Sequence, residues 1–384
     1  MEENKDKKKQ KASFKPWVVV VFLLLFSIAM PLIAAEIYFR LTSPYIIRKD
    51  TQGLTGKEVS GDYGYFMDML SGRRLIPNTH VVRVQNYNKI PIDINSNGFR
   101  DKEIPAIKNP AETRILVLGD SIAFGANTTL EFTYAKRAEA YLAAESQTGR
   151  VRLINGGVEG IGTKDEIDIL VDQGLAISPD IVVVGFYLND GNPPDRLAAG
   201  LANPGFVRRH SVLAQTVYRA YKFRQYSKGE MEEAYMYGWL TNPPPQDWRT
   251  NRDSLLQYAA IAEMDWGAAW NPNKWAGIDE QMKRLQVLAR DHNFKVVLVA
   301  FPIVFQVDAE YLEDEPQQRL RALAGKYHFQ FLDLLPVFRS NSDRNIFFDW
   351  CHLSNDGHDI AGLTLARFLS EHVLNGDLSR NAAH

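Results

Sequence analysis

Four separate segments of the sequence carry residues that could take part in one reaction. They are Gly119-Asp120-Ser121, the turn from Asn155 to Gly160, Asn189-Asp190, and Asp349-Trp350-Cys351-His352. Between them they supply a hydroxyl, a glycine-rich turn, an amide, and a carboxylate three residues before an imidazole. Acyl transfer needs a nucleophile, a base, a carboxylate that orients the base, and donors for the oxyanion. The four segments contain each of these residue types.

Each segment also has an ordinary structural interpretation. A serine at the start of a helix, such as Ser121, is most often only an N-cap. Asn189-Asp190 is typical of turns, and Asp349 with His352 could be a surface or capping pair. The glycine-rich turn lacks the Gly-x-Gly-x-x-Gly pattern of dinucleotide sites, so it implies no such cofactor. Taken together, the four segments favour catalysis more strongly than any one of them does alone.

Alternating strands and helices must position these segments. Five short apolar runs predict buried strands, at residues 114–118, 151–155, 181–186, 295–300 and 329–334. Helical patterns separate or follow them, at residues 134–145, 165–173, 279–290, 317–327 and 357–373. This alternation predicts a three-layer α/β/α fold with a parallel sheet covered on both faces. Because ligands gather at the carboxyl ends of such strands, the loops carrying the four segments should share one edge.

The blocks resemble those of the SGNH hydrolases, also called GDSL-type esterases. Gly119-Asp120-Ser121, Asn155 to Gly160, Asn189-Asp190, and Asp349 with His352 match the four family blocks in order. The resemblance covers about residues 113–375 and implies a flavodoxin-like sheet. Tyr187 is a departure, since that block has glycine there. An α/β-hydrolase would instead show Gly-x-Ser-x-Gly, which the Ser121 segment does not.

The resemblance implies a role for each matching residue. Ser121 would be the nucleophile, His352 the general base and acid, and Asp349 the residue that orients His352. The backbone N–H groups of Ser121 and Gly160, with the Asn189 amide, would form the oxyanion hole. No cofactor or metal is expected for this mechanism.

Three nearby residues are expected to play structural roles instead. Asp120 is interpreted as a structural hydrogen-bonding group, and His358 as a residue of the last helix. The side chain of Cys351 is expected to point away from His352.

The N-terminus carries a membrane signal. A lysine-rich tail, residues 1–15, precedes an uncharged run from Trp17 to Ala35, about long enough to span a bilayer. The excess of lysines before this run predicts a signal-anchor helix at 16–39 in the inner membrane. The tail would lie in the cytoplasm, and the rest of the protein would be extracytoplasmic, in the periplasm. A cleaved signal peptide is the alternative.

Residues 40–112 are predicted to form a β-rich adaptor with a hairpin near residues 87–89, followed by a hydrolase domain at 113–378. Asn95 to Arg100 also resembles the lead-in of membrane-anchored bacterial members.

An insertion of unusual composition separates the third and fourth strands, at about residues 195–276. It contains Trp239, Trp248, Trp266 and Trp270, with Trp275 at its edge. One interpretation is a helical subdomain whose aromatic residues fill its own core. The other is a lid or an aromatic platform for sugar rings.

The net charge and the cysteine count exclude some classes of partner and site. The formal net charge of −2 argues against nucleic acid as a partner. The single cysteine excludes an intramolecular disulfide and a cysteine-based metal cluster. We therefore predict a membrane-anchored serine esterase that hydrolyses O-acyl, chiefly O-acetyl, esters of a small molecule or of a cell-surface or exported glycan. A polysaccharide O-acetyltransferase with the same triad, and a non-catalytic glycan-binding or assembly protein, are the alternatives.

Overall fold

The computed structural model describes most of the chain. The described residues are 15–42, 58–60, 66–69, 72–85, 88–145, 150–191, 242–374 and, between these last two ranges, 207, 211–214, 216–218, 221 and 239. Three predicted features lie wholly or partly outside them: the basic tail up to residue 14, the hairpin turn at 86–87, and much of the first half of the insertion.

The central feature is a five-stranded parallel sheet. Its strands are β6 (Glu112–Gly119), β7 (Arg150–Asn155), β8 (Ile181–Phe186), β9 (Lys295–Ala300) and β10 (Gln330–Asp333). Their spatial order is β7-β6-β8-β9-β10, and every neighbouring pair is parallel. In sequence order this is 2-1-3-4-5, the flavodoxin-like arrangement. All six residues of β8 are buried, as the continuous β-branched run predicts for a strand covered on both faces.

Helices flank the sheet, and the five that the sequence patterns predict are among them. The helices are α2 (Ser121–Phe124), α3 (Tyr134–Glu145), α4 (Thr163–Ile169), α5 (Arg252–Ile261), α6 (Trp275–His292), α7 (Val304–Asp308), α8 (Glu315–Tyr327), α9 (Leu335–Ser340) and α10 (Asn355–Leu369). Helix α10 begins where the Ser354 side chain accepts the Gly357 N–H. Helix α3 packs against α10, and α4 and α8 both contact α6. The predicted α/β/α fold is confirmed.

The N-terminal part contains one long apolar helix and short β-structure. Helix α1 (Pro16–Thr42) has a window, Pro16–Phe39, long and apolar enough to cross a membrane, and it is a candidate anchor or signal sequence. The strands are β1 (Glu58–Ser60), β2 (Phe66–Met69), β3 (Gly72–Leu75), β4 (Thr79–Gln85) and β5 (Asn88–Ile94). Strands β4 and β5 pair antiparallel from Thr79 opposite Ile94, so the two strands of the predicted hairpin are present.

The tryptophans of the insertion are packed inside the protein. Trp239, Trp248 and Trp266 are at most 6% exposed. Trp239 contacts Trp266 and Trp350 edge-on, with ring centroids 5.9 Å and 4.9 Å apart. Trp248 packs against Phe305 at 5.2 Å. These contacts favour the interpretation that the aromatic residues form a core, because a platform for sugar rings needs exposed ring faces.

Candidate active site

Ser121 lies at the sharp turn that joins β6 to α2. The turn begins at Gly119, which has φ +153° and whose added Cβ would lie 2.6 Å from the Ala123 Cβ. Asp120 is the N-cap: its Oδ1 accepts the Ile122 N–H at 2.9 Å. The interpretation of Ser121 itself as the N-cap is therefore wrong, because Asp120 performs that role and Ser121 is the first helical residue. Its hydroxyl is available for another partner.

A continuous hydrogen-bonded chain joins Ser121, His352 and Asp349. The Ser121 Oγ lies 2.8 Å from His352 Nε2, and His352 Nδ1 lies 2.7 Å from Asp349 Oδ2. The other carboxylate oxygen of Asp349 accepts the backbone N–H groups of Cys351 and His352 at 2.9 and 2.8 Å. These two bonds fix the Asp349-to-His352 turn. They explain how residues three apart can present an acid and an imidazole to one serine.

The electrostatics of the turn favour a charged imidazole. Burial raises the pKa of Asp349, but the hydrogen bond and charge of His352 lower it further, and the net pKa lies below its usual value. Burial lowers the pKa of His352, whereas Cys351 and Asp349 raise it, and the net pKa lies well above 6.5. Because burial raises the pKa of Cys351 to about 12, its thiol is neutral near pH 7. Asp349 is therefore the neighbour whose charge stabilises the imidazolium.

The loops that carry Gly160 and Asn189 flank the Ser121 turn. Strand β6 lies between β7 and β8, so the loops after those strands emerge on either side of Ser121. Gly160 has φ +70°, a conformation that glycine adopts without strain. The two loops are joined where the Thr163 N–H donates to the Asp190 carbonyl at 3.3 Å. The Asp190 side chain also accepts the Tyr187 N–H at 3.1 Å, which fixes the Asn189 turn.

Two buried arginines, one on β4 and one in the segment that follows β5, bond residues of the loops around the site. Arg83 is 4% exposed, and its Nη1 lies 2.6 Å from Glu159 Oε1 and 2.8 Å from the Ala126 carbonyl. Arg100 is fully buried and donates to the carbonyls of Phe124 and Gly125, both at 2.8 Å. One arginine therefore binds the residue before Gly160, and the other binds the end of the helix that begins at Ser121.

The side chain of Cys351 points toward His352 rather than away from it. Its Sγ is 3.6 Å from His352 Nδ1, so the prediction that its side chain points away is wrong. The backbone bonds to Asp349 tighten the turn and bring the thiol to the ring. Ligand atoms of Asp349, Cys351 and His352 all lie within 4.8 Å of one another, close enough for a metal ion. We interpret the group as a hydrogen-bonded cluster, since His352 Nδ1 already bonds Asp349 and the thiol holds its proton.

As predicted, His358 lies on the last helix, α10, outside the hydrogen-bonded chain of Ser121, His352 and Asp349. It is 1% exposed, and its Nδ1 accepts the Tyr134 N–H at 3.2 Å. Burial lowers its pKa to about 3, so the ring is neutral. These contacts indicate a structural histidine.

Sequence reasoning missed one carboxylate beside the site. Asp265, in the insertion, is 7% exposed, and burial raises its pKa to about 7 while the charge of His352 lowers it. The adjoining Trp266 packs on Trp239, which contacts Trp350 of the Asp349–His352 turn. The insertion therefore forms part of the surroundings of His352. Only the tryptophans around Asp265 marked this stretch in the sequence.

Sequence reasoning also missed Glu166, which forms a set of buried, interacting acids with Asp120 and Asp190. Glu166 on α4 is fully buried, and burial together with the charges of Asp120 and Asp165 raises its pKa well above the usual value. Burial raises the pKa of Asp120 to about 6. Burial and the charge of Glu166 also raise the pKa of Asp190. In the sequence these acids are indistinguishable from solvated turn and helix residues.

Comparison with known proteins defines the class. The sequence model of the GDSL-like lipase/acylhydrolase family matches residues 117–360, which is more than half of the chain and spans all four blocks. The chain belongs to this family, and it is an ester hydrolase of the SGNH type.

Solved structures align with this chain at low similarity. An acetylxylan esterase from Geobacillus stearothermophilus is 16% identical, with a TM-score of 0.39 over 66% of this chain and 93% of its own. An alpha/beta hydrolase enzyme from the metagenome of Lake Arreo, Spain, is 15% identical, with a TM-score of 0.38 over 67% and 94%. A search of curated protein sequences finds no match.

Proposed function

We propose that this protein is a membrane-anchored, extracytoplasmic serine esterase that hydrolyses short O-acyl esters through an acyl-enzyme on Ser121. The observation that carries the proposal is the chain from Ser121 Oγ to His352 Nε2 at 2.8 Å and from His352 Nδ1 to Asp349 at 2.7 Å. A binding module has no need of this arrangement, whereas acyl transfer requires it.

The mechanism follows from the hydrogen bonds. Ser121 Oγ attacks the ester carbonyl carbon as its proton passes to His352 Nε2, and Asp349 stabilises the resulting imidazolium. The carbonyl oxygen becomes an oxyanion that accepts from the backbone N–H groups of Ser121 and Gly160 and from the Asn189 amide. The C–O bond to the alcohol then breaks, and His352 returns the proton to the leaving oxygen. Water then attacks the acyl carbon as its proton passes to His352 Nε2. The bond to Ser121 Oγ breaks, His352 returns the proton to that oxygen, and the acid leaves.

We propose acetyl as the first acyl group to test, on a small alcohol or on a sugar hydroxyl of a cell-surface or exported glycan. The proposed extracytoplasmic location exposes the site to such substrates.

The location rests on α1. Its side chains between Trp17 and Tyr38 are largely exposed although most are large and apolar, as expected for a helix surrounded by lipid. The lysines of residues 5–15 precede it, which supports a cytoplasmic N-terminus and an extracytoplasmic hydrolase domain.

The test is hydrolysis of p-nitrophenyl acetate by the purified full-length protein in detergent. Ser121→Ala should lose at least about 10³-fold in kcat/KM. Ser340→Ala is the matched control, because Ser340 is exposed and its hydroxyl bonds the Val337 carbonyl and the Asn341 amide at the end of its own helix. Equal, slow release of nitrophenol by wild type and Ser121→Ala would refute the proposal.

A further inference from the structure

The membrane helix and the insertion are joined by one carboxylate. Glu36 of α1 accepts the Val212 and Leu213 N–H groups at 2.9 and 2.8 Å and the Ser211 hydroxyl at 2.8 Å. The Ser211 oxygen in turn accepts the Ala214 N–H at 3.0 Å. The free N–H groups of a first helical turn are therefore satisfied by a residue some 175 positions earlier in the chain.

The position of Glu36 fixes the depth of this contact. It is the first charged residue after the uncharged run that begins at Trp17, so it marks the end of the hydrocarbon-spanning part of α1. The described residues of the segment 211–221 other than Ser211 are helical, and we call them the docked segment. Because Glu36 binds its first turn, the docked segment begins at the boundary between hydrocarbon and headgroups.

An apolar groove runs between the docked segment and α1. Its lining on α1 includes Leu32 and Ile33, and on the docked segment Leu213, Val217 and Tyr221. Val217 and Tyr221 are 60% and 55% exposed, so more than half of each side chain is accessible. Leu32 and Ile33 lie within the apolar part of α1, and lipid is therefore the occupant that reaches this groove when α1 spans a bilayer.

The composition of the sequence around the docked segment matches an anionic lipid surface. Residues 206–229 contain no Asp or Glu but hold six cations, Arg208, Arg209, Arg219, Lys222, Arg224 and Lys228. The same stretch contains Tyr218, Tyr221 and Tyr226, residues that favour the membrane interface. A basic stretch with apolar and aromatic residues is typical of segments that lie in the plane of an anionic bilayer.

We propose that the docked segment lies on the surface of an anionic phospholipid bilayer, with Val217 and Tyr221 immersed beside α1. The proposal rests on the membrane anchoring proposed above, and it adds that the insertion next to the catalytic turn is itself a membrane-binding element. The esterase would then act on substrate presented close to the membrane surface.

The test is the depth of spin labels on the full-length protein in nanodiscs. Val217→Cys reports the docked segment, Leu25→Cys the middle of α1, and Ile107→Cys a site 88% exposed on the hydrolase side. Cys351 is buried, and unmutated protein measures its background. In phosphatidylglycerol-containing nanodiscs, labels at 217 and 25 should collide with oxygen more than with a water-soluble nickel chelate. The label at 107 should show the reverse preference.

The outcomes separate this proposal from the anchoring proposal. A label at 217 that behaves like 107, while 25 reports bilayer, overturns the docked segment alone. A label at 25 that reports water overturns the anchoring and this proposal with it.

In pure phosphatidylcholine the oxygen preference at 217 should fall by several-fold while that at 25 stays constant, and no change at 217 would refute the role of anionic lipid. Glu36→Gln should also reduce the oxygen preference at 217. Shielding of 217 by soluble polygalacturonate in detergent, with none by anionic lipid, would assign the stretch to a glycan instead and refute the proposal.

Discussion

The Cys351 thiol lies 3.6 Å from Nδ1 of His352, the nitrogen that also bonds Asp349. A cysteine so close to an imidazole would be a reactive thiolate if the pair were exposed. Here burial raises its pKa to about 12, and the side chain is 4% exposed. The thiol therefore acts as a neutral packing group beside the base.

We expect Cys351 to be inert in the folded protein. At pH 8, Ellman's reagent should leave native protein almost unmodified and should titrate one thiol per chain after denaturation, since the sequence has a single cysteine. Fast stoichiometric reaction of native protein, with parallel loss of esterase activity, would show that the thiol is exposed and ionised.

The pH profile of kcat/KM should report the basic form of His352. The pKa of His352 is raised well above 6.5, so the ring is protonated and inactive at mildly acidic pH. Activity should therefore rise with pH through a midpoint above 6.5 and fall away below it. A profile already flat from pH 6 upward would contradict the raised pKa.

Replacing the orienting acid should change both rate and midpoint. Asp349→Asn should reduce kcat by about 10³- to 10⁴-fold, because the amide cannot stabilise the imidazolium. The residual activity should show a lower midpoint, because the charge that raises the pKa of His352 is gone. Asp343→Asn is the control, since Asp343 is exposed on the segment leading to the same turn. If the two variants behaved alike, Asp349 would have no role in the reaction.

Asp265 should raise the pKa of His352 more weakly than Asp349 does. The carboxylate and His352 interact electrostatically, so Asp265→Asn should shift the midpoint of the pH profile downward, by less than Asp349→Asn does. Asp253→Asn, at an exposed position at the start of α5, should leave the midpoint in place. An unchanged midpoint in Asp265→Asn would show that the insertion does not influence the base.

Glu166 should limit stability at neutral pH. Its folded pKa is raised by burial, so its contribution to stability is complete below about pH 4.5 and is lost as pH rises toward the folded pKa. Glu166→Gln keeps the neutral shape and should raise Tm at pH 7.5, with little difference from wild type at pH 4.5. Glu131→Gln, at an exposed position, should change neither value. A lower Tm at pH 7.5 for Glu166→Gln would mean that the carboxylate is ionised and bound.

The sequence predicts the frame of the site for a physical reason. Parallel strands buried on both faces are continuous apolar runs, as in Ile181–Phe186, and their carboxyl ends must share one edge. Residues that follow such runs, including Ser121 and Asn189, are therefore brought near each other whatever their separation in sequence. The Asp349-to-His352 spacing similarly predicts that one turn presents both groups.

Other features depend on packing that local patterns do not encode. Serine and aspartate are both good caps, so the sequence did not reveal that Asp120 caps α2 while the Ser121 hydroxyl bonds His352. Glu166 has the pattern of an ordinary helix acid, and it is buried because α4 packs against β3, β6 and α6. Asp265 lies 87 positions before His352 in an insertion without a motif, so its proximity to the base emerges only from the folded chain.

Trapping the acyl-enzyme shows which residue is the nucleophile. Full-length protein is mixed with p-nitrophenyl acetate, quenched in acid within one turnover, and analysed by peptide mass spectrometry. We expect one acetyl group on the peptide that contains Ser121, and none in Ser121→Ala or in substrate-free protein. Sustained turnover by Ser121→Ala, or an acetyl group confined to another residue, would show that Ser121 is not the nucleophile.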